Sequence, residues 1–138
     1  MTNRELAARL IRMLENCKLV AYPDSGGVWT IGYGHTAGVK EGDVCTVEQA
    51  EAWLIEDLLP LEAIMPLSWA KVQAAAIMSY GYNCGLPQAQ RVISGEVKVT
   101  PDGFLTPDGK LYGQTARGTK VAGLVSRRRL EAGLFLSA

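Results

Sequence analysis

The sequence predicts an α+β fold, mainly helical, with a small antiparallel sheet lobe bordering a cleft. Three observations lead there. Apolar residues recur at three- and four-residue spacing over most of the chain, the helical period. One early stretch, 19–36, breaks at a Pro- and Gly-rich turn and then alternates with period two, as an antiparallel pair does. The run 69–83 is apolar on most sides, which suits a helix at the centre of a core. At 138 residues the chain is expected to form one domain, 1–138, with a sheet lobe at about 18–45 and a helical lobe from 1–17 and 46–138.

Taken in order, Asn3 can cap a first helix reaching about Cys17. Leu6, Leu10, Leu14 and Cys17 form its apolar stripe, and Glu15 lies at the edge beside Ala8 and Ile11. Residues 19–22 read as a short strand, and Pro23-Asp24-Ser25-Gly26-Gly27 as a turn. In 28–36, Trp29, Ile31, Tyr33 and His35 share a packing face, while Thr30, Gly32 and Gly34 share a nearly bare one. Such a bare face suits a cleft floor. Thr46-Val-Glu-Gln49 is a capping box opening a helix to about Leu58. Pro60 and Pro66 punctuate the next stretch, Ser68 caps the central helix, and a short helix spans 88–94. Residues 96–119 hold two Thr-Pro-Asp-Gly turn signals, at Thr100 and Thr106, and predict hairpin-like turns or irregular loop with few apolar anchors. A last helix covers about 121–136.

Composition narrows the function. Apolar residues make up 48% and charged residues 20%, an ordinary globular balance. Fourteen basic side chains face 14 acidic ones, so the excess of positive charge that nucleic-acid binders carry is missing. Three cysteines with no Cys-x-x-Cys spacing favour buried thiols over a disulfide framework. A single histidine, His35, argues against a zinc site, and its place on the packing face suggests a structural residue bonded to a carboxylate. No cofactor is expected. The first residues read as a charged helix start rather than a signal peptide, and no run is long enough to cross a membrane.

The chemistry concentrates near the amino terminus. Eight residues stand between Glu15 and Asp24, and five between Asp24 and Thr30. A carboxylate at a helix end, another on a turn and a hydroxyl on the returning strand can surround one glycosidic bond. Alone, each has a plain reading: a solvated helix end, a turn former and a β-former. Their conjunction is what points to hydrolysis.

The stretch Asp24-Ser-Gly-Gly-Val-Trp-Thr-Ile-Gly-Tyr-Gly-His35 resembles the Asp-x-x-Gly-x-x-Thr-Ile-Gly-Tyr-Gly-His segment of the phage-type lysozymes, glycoside hydrolase family 24. Ser79-Tyr-Gly-Tyr-Asn-Cys-Gly85 is similar to that family's Ser-Phe-x-Phe-Asn-x-Gly. Gly123-Leu-Val-Ser-Arg-Arg-Arg-Leu-Glu131 is similar to its Gly-Leu-x-x-Arg-Arg-x-x-Glu helix. Two departures stand out: Asn16 follows Glu15 where the family often has glycine, and 96–119 replaces a longer helix pair.

The resemblance implies a phage-lysozyme-like fold and an N-acetylmuramidase acting on bacterial peptidoglycan as an endolysin. Glu15 would be the general acid, which must hold its proton near neutral pH, as partial burial favours. Asp24 would stay ionised and Thr30 would orient the attacking water, giving an inverting reaction. Gly32, Tyr33, Asn83 and Arg127 are the implied substrate-binding residues; helix capping is the plain alternative for Asn83. Arg127 to Arg129 read as glycan contacts or partners of a cleft carboxylate, with a solvated helix face the alternative for at least two of them. A monomer is expected, with no nucleic-acid partner and no stable membrane insertion. It would wait in the host cytoplasm for holin-dependent release. The competing readings are a catalytically weak or inactive glycan-binding or scaffolding module on the same fold, and a chitin-type hydrolase.

Overall fold

The computed structural model describes all 138 residues. Five helices carry most of the fold: α1 (Asn3–Leu14), α2 (Val47–Ile64), α3 (Lys71–Cys84), α4 (Leu86–Ile93) and α5 (Ala122–Leu136). Strands β1 (Lys18–Pro23) and β2 (Trp29–Gly32) form an antiparallel pair. Strands β3 (Lys98–Thr100), β4 (Gly103–Leu105) and β5 (Leu111–Tyr112) form a meander, and β6 (Thr115–Ala116) with β7 (Thr119–Lys120) a hairpin.

Helix α3 is the hub. Every residue from Ala74 to Gly81 is buried. Small side chains let its neighbours come close: a Cβ on Gly81 would lie 2.5 Å from Leu61 of α2 and 3.0 Å from Ala89 of α4. Lacking a hydroxyl cap at Ala70, the helix start is closed by Gln73, whose side chain accepts from the Ala70 N–H at 3.0 Å. Helix α2 begins with the expected Thr46–Gln49 capping box but continues through Pro60 to Ile64. Proline removes one helical hydrogen bond, a loss of roughly 3 kcal/mol. Burial of Leu61 and Met65 beyond it offsets that loss.

Helix α1 corrects the expected stripe. Ala7, Ala8 and Ile11 are the fully buried positions, while Leu6, Leu10 and Leu14 are only half-buried. Ala8, Ile11 and Glu15 lie at helical spacing on one face. Glu15 therefore continues the inward face, and the helix stops where that face would bury a carboxylate. The Glu15 backbone turns extended (φ −111°, ψ 139°) with its N–H still donating to Ile11 O at 2.8 Å.

The segment 96–119 is more ordered than expected. Each Thr-Pro-Asp-Gly makes a hairpin turn: Thr100 pairs with Gly103, and the Gly109 N–H donates to Thr106 O at 2.9 Å. Phe104 is fully buried, with its ring 3.8 Å from that of Tyr80, and Val97 and Gln114 are buried beside it. One aromatic anchor and the β ladder replace the apolar run that the sequence lacks.

Candidate active site

Strand β2 is shorter than its alternation suggests. Ile31 and His35 exchange both backbone hydrogen bonds at 2.9 Å, so the chain turns at 32–34 instead of continuing to Thr36. Gly32 (φ 66°) and Gly34 (φ 101°) occupy the left-handed region that this turn needs. The expected bare face is consequently covered. Gly32 is buried against Ala50 and Trp53 of α2. Tyr33 donates its hydroxyl to Glu51 at 2.9 Å, a bond that helps hold its phenol up at about 12. Gly32 and Tyr33, like Thr30, are not among the residues that line the cavities beside Glu15 and Asp24. His35 is the structural residue expected, 2.7 Å from Asp57 and stacked on Trp53.

Gly34 faces the other way. A Cβ there would meet the Tyr82 ring at 3.4 Å and the Glu15 carboxyl carbon at 3.8 Å. The β turn thus packs close to Glu15. On its other side Glu15 accepts from Arg127 Nη1 at 2.5 Å. Arg127 also donates through Nε to Glu131 at 3.2 Å and through Nη2 to the Ser79 carbonyl at 3.3 Å. Glu131, wholly buried, takes a further 2.5 Å bond from Ser79 Oγ and two from Arg128, at 2.7 and 3.1 Å. Arg128 then reaches Asn83 Oδ1 at 2.8 Å. Two of the three consecutive arginines are therefore inside the protein, and only Arg129 is on the solvated face.

Asp24 stands across the groove. Its Oδ1 accepts from the N–H groups of Gly26 (2.8 Å) and Val28 (2.9 Å), which ties the turn to the carboxylate and leaves Oδ2 outside those bonds. Thr30 is buried, with 4% exposure, and donates its hydroxyl to Val28 O at 2.8 Å. It pairs across the sheet with Tyr22, so the two side chains share a face. Burial, then the charges of Glu15 and Asp24, raise the Tyr22 phenol.

A cavity of about 380 Å³ is lined by Glu15, Arg127 and Asn83, and a groove of about 760 Å³ by Asp24, Asn83, Cys84 and the turns of 106–118. Asn83 and Leu124 line both. Burial pushes the Cys84 thiol up to about 11, which keeps it protonated and a poor nucleophile. All three cysteines are free, and no cluster of three or more ligating side chains exists for a metal.

Tyr22, Tyr82, Ser79 and Glu131 were given no role from the sequence, and Arg128 only a shared one with Arg127 and Arg129. The available signal was Arg127, Arg128 and Glu131 at three- and four-residue spacing with Leu124 and Ala132, charges of both signs on one apolar helix face.

Known proteins resemble this chain along most of its length. The family model for phage lysozyme matches residues 12–131. An endolysin of Acyrthosiphon pisum secondary endosymbiont phage 1 is 34% identical over 94% of each chain. A SAR-endolysin of Pseudomonas phage phiKMV is 40% identical over 58% of this chain and 54% of its own. The solved muramidase domain of SpmX from Asticaccaulis excentricus superposes with a TM-score of 0.64, at 27% identity over 96% of this chain and 95% of that one. A small sheet packed on a helical bundle, with this sequence kinship, defines a lysozyme-type glycoside hydrolase. The chain belongs to the phage lysozyme family, and it hydrolyses peptidoglycan.

Proposed function

We propose that this enzyme cleaves the β-1,4 bond between N-acetylmuramic acid and N-acetylglucosamine, with Glu15 as general acid and a water held between Asp24 and Thr30. The supporting observation is the Glu15–Arg127 pair lining one cavity, with Asp24 lining the neighbouring groove and Asn83 lining both. Arg127 holds Oε1 of Glu15, so Oε2 is the oxygen that addresses the leaving group. Proton delivery from a placed carboxyl accelerates such a reaction roughly 10²- to 10⁴-fold. Asp24, ionised on its turn, balances the positive charge that grows on the anomeric carbon. The Thr30 hydroxyl, having donated its proton to Val28 O, is an acceptor for a water hydrogen and turns that water's lone pair toward the sugar. Asn83, held by Arg128, contacts the glycan between the two cavities.

Glu15→Gln should remove lysis of permeabilised cells while circular dichroism and melting stay those of the parent. Retention of more than about a few per cent of turnover would refute the acid assignment, given the factor that a general acid supplies. The first product should be the α-anomer by proton NMR, because water attacks opposite the leaving oxygen; an initial β-anomer refutes inversion.

The proposal has the enzyme acting as a monomer, without nucleic acid, and collecting in the host cytoplasm until a holin opens the membrane. Kinship with phage endolysins supports this, and no helix is long and apolar enough to cross a membrane. Lysis on expression without a holin would overturn the release route alone.

A further inference from the structure

The hairpin β6–β7 carries an arginine where local backbone preference asks for another residue. Ala116 pairs with Thr119, which leaves Arg117-Gly118 as a two-residue turn. Both residues have positive φ, 52° and 79°. That turn normally takes asparagine, aspartate or glycine at its first position. Arg117 is the one non-glycine residue of the chain with positive φ. A strained residue that persists invites the question of what it does there.

Its surroundings answer. Arg117 lines the 760 Å³ groove together with Asp24, Lys110 and Tyr112. Its Nη2 lies 3.9 Å from where a Cβ on Gly27 would stand, so the hairpin tip reaches across to the turn that carries Asp24. No carboxylate of the protein pairs with Arg117 or with Lys110. Asp108, on the same wall, is occupied by its own turn: Thr106 Oγ1 and the Lys110 N–H both donate to it, and these bonds hold its carboxyl below the usual range. The groove therefore shows two unpaired cations and a half-exposed tyrosine ring beside the proposed water site. N-acetylated sugars are neutral and need no cation. The substituents of muramic acid are acidic, either through the carboxylates of the peptide attached to its lactyl ether or through the lactyl carboxylate itself.

The geometry points to Arg117, assisted by Lys110, as a subsite for carboxylates borne on the glycan, making the remodelled 96–119 segment the specificity element of this enzyme. The inference rests on the hydrolase reading above. An arginine–carboxylate pair forms a charge-assisted, two-point contact that neither asparagine nor alanine can replace.

The test compares three forms of one glycan: intact peptidoglycan, strands stripped of peptide by an amidase, and stripped strands whose lactyl carboxylates have been amidated. Arg117→Asn suits the turn better, so its melting temperature should rise. Its kcat/KM on carboxylate-bearing strands should fall roughly tenfold relative to the amidated ones, mainly through KM. Arg117→Lys should recover part of the loss. A fall confined to intact peptidoglycan assigns the peptide carboxylates; a fall confined to stripped strands assigns the lactyl group. An equal effect on all three, or none, overturns the subsite. Parent enzyme inactive on all three would instead overturn the hydrolase reading.

Discussion

Glu131 is a carboxylate with no exposed surface, and its burial is tolerable only because four donors converge on it: Ser79 Oγ, Arg127 Nε, and Arg128 Nε and Nη2. A lone ion in that position would carry a desolvation penalty of several kcal/mol. Arg127 and Arg128 are adjacent in sequence but diverge in space, one toward Glu15 and the other toward Asn83. The buried pair thus links Glu15 to Asn83 through Glu131. Arg128→Met should destabilise the protein by about 3–5 kcal/mol, because it strands Glu131 without its main partner. Chemical denaturation measures this directly, and the double variant Arg128→Met/Glu131→Leu should recover much of the loss. A single variant within about 1 kcal/mol of the parent would mean that water reaches Glu131 and the network is not dry, as expected of surface substitutions. The triplet of arginines read as glycan contacts or partners of a cleft carboxylate, with a solvated helix face the alternative for at least two, since buried arginine is rare without a partner. The partner was three and four residues on, and reading the helix face as a unit would have found it.

At the scale of elements, one tie joins the β lobe to both flanking helices. Glu51 on α2 accepts from Arg12 of α1 at 2.6 and 3.0 Å and from the Tyr33 hydroxyl at 2.9 Å. The Arg12 bond, aided by Tyr33, holds the Glu51 carboxyl below its ordinary value of 4.5. A carboxylate lowered in the folded state adds stability above its unfolded value, and that stability disappears as pH falls through the folded value. The side chains are about a third exposed (36% and 34%), so screening keeps the contribution to about 1 kcal/mol or less. Urea midpoints of Glu51→Gln should therefore lie below the parent's at pH 7, with the gap closing below pH 4.5. A gap that persists undiminished well below that value would show packing, not ionisation, to be the cause. Most elements were legible from periodicity: the Thr46 box, the central helix and the closing helix stand close to where spacing put them. What escaped was set by tertiary contact. Gly32 falls on the bare face in a strict alternation, but the Ile31–His35 turn seats it against Ala50 and Trp53 of α2.

For the whole molecule, the question is how the 96–119 segment is held to the rest. Its composition argues for weak protection, since two Thr-Pro-Asp-Gly turns and few apolar side chains bury little surface for each residue ordered. The structure concentrates that burial in one place. Phe104 stacks on Tyr80 at 3.8 Å, Val97 and Gln114 close around it, and Arg128 comes within 5.4 Å of the Tyr80 ring centre. Gly103 completes the contact: at φ 134°, a Cβ there would stand 2.7 Å from Gln114 Nε2, so the hairpin can dock only with glycine at that point. Protection should accordingly be graded within the segment instead of uniformly low. Amides of β4 should exchange nearly as slowly as those of α3, while the tips at 108–110 and 117–118 should exchange within the fast phase. Phe104→Ala, with an expected loss of about 3–5 kcal/mol, should bring the two classes together by freeing the meander from the hub. If β4 already exchanges as fast as the tips in the parent, the Phe104–Tyr80 stack does not hold the segment, and the groove wall that carries Lys110 and Arg117 is mobile on the timescale of catalysis.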